Sequence, residues 1–149
     1  QMQTNIRDLL TTKGREVWAV SPNETMLDTL KMLAEKDIGA LLVMDGDALV
    51  GIISERDFAR SIAANEKCLI HTEVKDYMTR EVITITPDQT IHGCMKLMTQ
   101  SHIRHLPVVE NGCVVGMISI GDVVKMLLAD AEARISNLED FIEGRGYGH

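Results

Sequence analysis

The sequence predicts an α+β fold in which two pseudo-symmetric β-α-β-β-α repeats pack sheet to sheet as one module. The main observation is an internal repeat, in which residues 17–57 align without a gap onto residues 82–122 at a constant offset of 65. In both copies, short apolar runs rich in β-forming residues alternate with helical stripes in the same order. A unit of roughly 60 residues buries too little surface to be stable alone, so we expect the two copies to pack together.

The domain boundaries follow from this repeat and from its flanks. The match extends upstream with a three-residue slip, where residues 6–11 resemble residues 74–79, so each unit should begin with a short helical turn. The glycine-rich end of the chain follows no strand, which argues against a dinucleotide-binding fingerprint there. The predicted boundaries are 6–64 for repeat 1, 65–73 for a linker, 74–129 for repeat 2, and 130–149 for a C-terminal helix and flexible tail.

Within each repeat, the elements can be placed from hydrophobic periodicity and turn residues. A first strand ends at a Ser-Pro or Thr-Pro turn, and Thr25 or Thr90 can cap the helix that follows. A hairpin with a short polar turn comes next, and a last helix begins near Asp57 or Asp122. The predicted strands are 17–20, 40–44 and 49–53 in the first repeat, and 82–85, 106–109 and 114–118 in the second.

The composition excludes several classes of function. The formal net charge of −7 and the pI of about 5.2 disfavour a broad surface that binds a phosphate backbone. With only 3% aromatic residues, there is also little with which to stack unpaired bases, so nucleic acid is not an expected partner. Any anionic ligand must therefore be held by a few placed groups.

Other features indicate a cytoplasmic protein without catalytic machinery. The three cysteines show no paired C-x-x-C spacing, and no apolar run is long enough to span a membrane. Residues 1–15 are polar and lack the apolar block of a signal peptide. His102 and His105 are three residues apart but imply no third metal ligand, and no nucleophile with its base is recognisable. We expect no metal, no catalytic cofactor and no enzymatic activity.

The same segment, a glycine, two apolar residues, a serine and an aspartate three residues later, closes both repeats. It places Ser54 and Asp57, or Ser119 and Asp122, where a strand ends and a helix begins. One interpretation is a capping box that satisfies free backbone N–H groups. The other is a ligand site, since a helix N-terminus attracts phosphate and a carboxylate accepts two hydrogen bonds from ribose hydroxyls. The residues alone favour neither.

Three motifs together resemble the cystathionine-β-synthase (CBS) domain, and two copies resemble a Bateman module. The motifs are T-I-x-P-x-x-T at 84–90, I-R-H-L-P-V-V at 103–109, and the G-h-h-S-x-x-D close of both repeats, where h is apolar. The resemblance covers nearly the whole chain, from about residue 6 to residue 129. It implies paired repeats that bind adenosine compounds such as AMP, ATP, NAD(H) or S-adenosylmethionine. The aspartates Asp57 and Asp122 would hold ribose, and the serines Ser54 and Ser119 would lie near phosphate.

The resemblance also implies two unequal pockets, since each would be lined by the opposite repeat. One would combine Ser54, Arg56 and Asp57 with Arg104 and His105, and its phosphate-binding groups favour AMP or ADP. The other would combine Ser119 and Asp122 with less polar residues, which suits a nucleoside or NAD(H). The residues expected to line adenosine are Trp18, Ile38, Gly39, Ala40, Ile83 and Ile103.

The predicted function is a non-catalytic regulatory or energy-sensing module that binds adenine nucleotides and signals by a conformational or dimer change. The alternative is a constitutive interaction or dimerisation scaffold in which the aspartates merely cap helices. A homodimer through the repeats and the C-terminal helix is expected, because residues 135–142 carry an apolar stripe. The expected partners are an adenine nucleotide, a second copy of the chain and a regulated protein, with no membrane.

Overall fold

The computed structural model describes residues 4–64 and 71–142, and its elements confirm the predicted α+β class. The first repeat contains α1 (Ile6–Lys13), β1 (Ala19–Val20), α2 (Met26–Lys36), β2 (Ala40–Asp45), β3 (Ala48–Ser54) and α3 (Glu55–Ala64). The second contains a 3₁₀ turn (Val74–Asp76), α4 (Ile91–Ser101), β4 (His105–Glu110), β5 (Cys113–Ser119) and α5 (Ile120–Ile142). Most of the predicted linker, the predicted flexible tail from residue 143 onward, and Cys68 lie outside the described residues.

The two sheets repeat one topology with one difference. In the first sheet β1 pairs parallel to β2, and β2 pairs antiparallel to β3. In the second, β4 and β5 form the equivalent hairpin. The strand predicted at 82–85 does not form, because only Ile85 is paired, through a single parallel bridge to Val108. Its N–H donates to Pro107 O at 3.0 Å and its carbonyl accepts from Val109 at 2.8 Å, too little pairing for a strand.

Equivalent residues cap the first long helix of each repeat, as predicted. Thr25 Oγ1 accepts from the Asp28 N–H at 3.1 Å, and Thr90 Oγ1 accepts from the Gly93 N–H at 3.0 Å. A hydroxyl in this position satisfies one of the N–H groups that a helix start leaves free. The helices also end alike, since Asp37 and His102 both adopt left-handed backbone angles, with φ of 53° and 55°.

The N-terminal segments of the repeats are exchanged. Helix α1 does not join the core of its own repeat but packs into the second, where Ile6, Leu9 and Leu10 join one cluster of buried residues. Conversely, Val74 and Met78, at the start of repeat 2, belong to the core of repeat 1. Each repeat therefore completes its core with a segment from the other.

Two glycines let the exchanged segments approach the sheets. A Cβ on Gly116 would lie 2.7 Å from Leu10 Cδ2, and a Cβ on Gly51 would lie 2.5 Å from Met78 Sδ. Gly51 and Gly116 are equivalent in the internal repeat, as are Leu10 and Met78 in its upstream extension. The exchange of N-terminal segments therefore follows the same pseudo-symmetry as the two repeats.

Both faces of β2 and of β4 are buried in their middle, as two packed sheets require. Along β2, Leu41 and Val43 belong to the core of the first repeat, while Leu42 points to the opposite face and is also fully buried. Pro107, the equivalent of Leu42 in β4, is buried as well. The packing of sheet against sheet accounts for this second buried layer.

Helix α5 is a single element that runs well past the second repeat. It begins at Ile120 and continues to Ile142, so the predicted last helix of repeat 2 and the predicted C-terminal helix are one. Val123 is its one fully buried residue. Within 4–64 and 71–142, no helix is long and apolar enough to cross a membrane.

Candidate functional site

The serine and aspartate of each closing segment meet at the start of a helix. The Ser54 N–H donates to Asp57 Oδ2 at 2.8 Å, and the Ser119 N–H donates to Asp122 Oδ2 at 2.8 Å. At Asp122 the bond is reciprocal, because its N–H donates to Ser119 Oγ at 3.2 Å. At Asp57, the serine hydroxyl instead donates to the carboxylate at 3.2 Å. The capping geometry is therefore present in both repeats.

Capping uses one oxygen of each carboxylate and leaves the second in different surroundings. Asp57 is almost buried, with 7% of its surface exposed, and Thr79 Oγ1 lies 3.5 Å from its Oδ1. The Asp122 side chain is 25% exposed, and among the described residues nothing donates to its Oδ1. Asp122 can thus cap its helix and still accept a hydrogen bond from a ligand.

Lys13, at the end of α1, lies against the second helix start. Its ammonium donates to Asp122 Oδ2 and to the Met117 carbonyl, both at 2.6 Å. Lys13 is not among the site residues predicted from the sequence, although the sequence contains a signal for its position. The upstream extension of the repeat aligns Thr11 with Thr79, so the end of α1 could have been placed near Asp122, as Thr79 is near Asp57. The exchange of α1 thus adds a cation to one site only.

The pKa of Asp122 lies below its ordinary value of 3.8. Partial burial acts to raise it, but the hydrogen bond and charge of Lys13, together with the hydrogen bonds from the backbone and side chain of Ser119, outweigh this effect. The carboxylate is therefore ionised at neutral pH and able to accept hydroxyl donors.

His105 lies between the two repeats. A Cβ on Gly39 would be 3.1 Å from its ring, so the missing side chain makes room for the imidazole. The charges that act on the ring are Lys13, Glu55, Asp122 and Arg104. A Cβ on Gly39 would also lie 3.6 Å from Glu55 Oε1, so His105 and the start of α3 approach the same glycine. The joint action of His105 and Asp57 on a ligand stays a prediction.

The pKa of His105 is below its ordinary value of 6.5. Burial is the largest cause, with the positive charge of Lys13 next, and Glu55 and Asp122 act in the opposite direction. The imidazole is neutral at pH 7, so it offers a hydrogen bond rather than a charge.

The two arginines of the predicted site are exposed and lie near the same segment. Arg56, in the first turn of α3, donates from Nη1 to the His102 carbonyl of repeat 2 at 3.2 Å. The Arg104 carbonyl accepts from the Ile120 N–H at 2.8 Å, which fixes its backbone at the start of α5. Both arginines are exposed residues.

The residues predicted to line adenosine differ in accessibility. Trp18 is half-buried against the first core, with the Lys36 ammonium 4.1 Å from its ring centroid. Ala40 is 1% exposed, so its methyl group faces protein on every side, whereas Ile83 is 39% exposed. The remaining three, Ile38, Gly39 and Ile103, are partly exposed.

The described part of the chain contains no group of three or more His, Cys, Asp or Glu residues arranged to hold a metal ion. His102 ends α4, and its carbonyl, not its ring, makes the contact to Arg56.

Comparison with known proteins shows which family these features belong to. The sequence model of the CBS domain family matches residues 6–64 and 74–129, so the chain belongs to this family and carries two of its domains. The Arabidopsis thaliana protein named "CBS domain-containing protein CBSX3, mitochondrial" is 36% identical over 97% of this chain and 74% of that protein.

Two solved structures extend the comparison to the fold. The CBS-domain containing protein ATU1752 from Agrobacterium tumefaciens is 38% identical, with a TM-score of 0.80 over 83% of this chain and 93% of that one. The CBS domain pair of protein MJ0100 is 26% identical, with a TM-score of 0.76 over 87% of this chain and 99% of that one. The latter was solved in complex with 5-methylthioadenosine and S-adenosyl-L-methionine.

Proposed function

We propose that this protein is a non-catalytic regulatory module that binds an adenine nucleotide between its repeats and signals by changing their arrangement. The observation that carries the proposal is the pair of Ser-Asp helix starts, of which the second keeps an ionised carboxylate oxygen open beside Lys13. A carboxylate suits the vicinal hydroxyls of ribose, and the adjoining ammonium and helix N-terminus suit a phosphate. The adenosine compounds bound by MJ0100 support the same class of ligand.

The sequence predicts that the pocket with Asp57 is the better site for AMP or ADP. The contacts support the opposite order, with the Asp122 site as the better one. At Asp122, the ammonium of Lys13 and the imidazole of His105 favour a phosphorylated ligand such as AMP, ADP or ATP. Asp57 is nearly buried among neutral hydroxyl groups, although Arg56 and Arg104 remain accessible. NAD(H) also fits the proposal, with one of its two nucleotide halves at the Asp57 site and the other at the Asp122 site.

Ligand binding at Asp122 would be transmitted through α1. A nucleotide that attracts Lys13 must alter the 2.6 Å contact between its ammonium and Asp122. Helix α1 also contacts α5, and Thr4 Oγ1 donates to Asp130 Oδ2 at 3.1 Å just before α1 begins. A ligand that binds one arrangement of α1 and α5 more tightly shifts the population toward it, and a homodimer through the repeats and α5 would pass this change to a regulated protein.

The alternative function is a constitutive scaffold, and one observation favours it. Both aspartates already make capping bonds at 2.8 Å, so helix stability alone accounts for one oxygen of each. On this proposal no nucleotide would stabilise the protein.

Thermal unfolding of nucleotide-free protein with AMP, ADP, ATP, NAD, NADH, 5-methylthioadenosine and S-adenosylmethionine tests the proposal. A true ligand at about a hundred times its dissociation constant stabilises the fold by about 2.7 kcal/mol. Asp122→Asn should abolish this shift while retaining an oxygen to cap α5. Asp47→Asn, in the exposed turn between β2 and β3, is the matched control and should leave it unchanged. No shift with any compound would overturn the sensor function and favour the scaffold.

A further inference from the structure

The outer part of α5 carries a continuous apolar seam that is exposed in the described part of the chain, residues 4–64 and 71–142. Residues 131–139 are all exposed, and so are residues 141 and 142. Four large apolar side chains in α5 are more than half exposed besides Phe141: Leu128 at 58%, Ile135 at 57%, Leu138 at 59% and Ile142 at 73%. This segment alone, about a dozen residues, is marginal as an isolated helix in water. Packing of the first part of α5 on repeat 2 supports its start, and a partner along the seam would stabilise its outer part.

The spacing of the seam is that of a two-stranded coiled coil. The seam residues follow one another at alternating intervals of four and three, which keeps them on one side of a helix that supercoils with a partner. In heptad notation, Leu128, Ile135 and Ile142 take position a, and Val124, Ala131 and Leu138 take position d. Val124 is 41% exposed, so the seam extends onto the part of α5 that packs against repeat 2.

The residues at the end of the seam are those of a two-stranded coiled coil. Ile135 and Ile142 at a, with Leu138 at d, form the combination that favours two strands when the helices are parallel. In a parallel pair with its two-fold axis along the helices, each of these side chains meets its own counterpart.

The charges beside the seam agree with this arrangement. Arg134 lies at position g and Glu139 at position e of the next heptad. In a parallel coiled coil, a g residue faces the e residue five positions later in the partner helix, so Arg134 faces Glu139 of a second copy. The two-fold axis forms this opposite-charge contact twice.

We propose that α5 pairs in parallel with α5 of a second copy of this chain, through the seam of Val124, Leu128, Ala131, Ile135, Leu138 and Ile142. The pairing does not depend on nucleotide binding. It gives the homodimer a defined axis and places the two second repeats side by side, with Asp122 two residues before the first seam residue.

Cysteine cross-linking of the full-length protein tests both the contact and its direction. Ala131→Cys and Leu138→Cys, made separately, each place a thiol opposite itself in a parallel pair. Both variants should form an interchain disulfide under mild oxidation, above the level that the native cysteines give in the unmodified chain. Ala133→Cys, on the opposite side of the helix, is the matched control and should stay at that level.

The cross-linking results distinguish parallel pairing, antiparallel pairing and no pairing. A disulfide in only one of the two seam variants would indicate antiparallel helices, because only the residue at the crossing point then meets itself, and it would overturn the parallel arrangement. A disulfide in neither would overturn the pairing. Ile135→Lys provides a second measurement, since it should weaken dimerisation at least about tenfold by sedimentation, whereas Ala133→Lys should not.

Discussion

The ammonium of Lys13 lies 2.6 Å from Asp122 Oδ2 and joins the end of the first helix to the start of the last. It places the cation of one site on the segment that is exchanged between the repeats. The corresponding contact of Asp57 is with the neutral hydroxyl of Thr79. The two sites of this pseudo-symmetric protein are thus electrostatically different.

Lys13→Met should lower the affinity for AMP more than the affinity for adenosine. The proposed charge-assisted bond to phosphate contributes about 1.5–3 kcal/mol, so AMP should bind roughly tenfold or more weakly. Isothermal titration calorimetry with both ligands measures the difference. Lys13→Arg, which keeps the charge, is the control and should retain most of the preference. Equal losses for AMP and adenosine would contradict a phosphate role for Lys13.

Gly116→Ala should destabilise the protein, because the new methyl group would lie 2.7 Å from Leu10 Cδ2. Overpacking of this kind costs about 1–3 kcal/mol. Chemical denaturation measures the free energy of unfolding. Combining Gly116→Ala with Leu10→Ala should recover part of the loss caused by the glycine substitution, as a double-mutant cycle would reveal.

A matched control for this change lies in the same repeat. In Gly121→Ala, the added Cβ would be 3.6 Å from Ser119 Oγ, an ordinary contact at the start of α5. This substitution should be neutral or stabilise by up to about 1 kcal/mol, through helix propensity. A comparable loss in both variants would contradict close packing of α1 as the cause.

Acidification should destabilise the protein through His105. Its pKa in the folded state is below 6.5, so below that pH the unfolded chain binds more protons than the folded one. The free energy of unfolding therefore falls as the pH drops from about 6.5 toward the folded pKa, by at most about 1.4 kcal/mol per pH unit for one group. His105→Gln should reduce this slope, measured as denaturation midpoints between about pH 7.5 and 5.5. An unchanged slope would rule out His105 as the source.

Thr90→Ala should cost about 1 kcal/mol, because it removes the hydroxyl that accepts from the Gly93 N–H at the start of α4. Thr99→Ala is the control in the same helix. Its hydroxyl donates to the Met95 carbonyl, which is already within the helix, so its loss should be close to neutral. Thermal unfolding compares the two variants, and equal midpoints would contradict the capping role.

Local patterns predicted the elements that depend on local sequence. The repeat offset, the threonine caps and the two hairpins follow from periodicity and turn residues, and the structure has them. The strand at 82–85 was wrong because pairing depends on the partner strand, and only Ile85 finds one. Lys13 was missed because its position results from the packing of α1 into the other repeat. The predicted groups Ser54, Asp57, Ser119 and Asp122 meet in pairs, but their role toward a ligand stays a prediction.

Because the repeats exchange their N-terminal segments, cutting the chain between them would remove core residues from both halves. A fragment ending at residue 64 would lack Val74 and Met78 from its core, and a fragment starting at residue 71 would lack Ile6, Leu9 and Leu10. Each half alone would leave part of its core unfilled. We therefore expect two complementary fragments to associate when mixed, since each carries the segment that fills the core of the other.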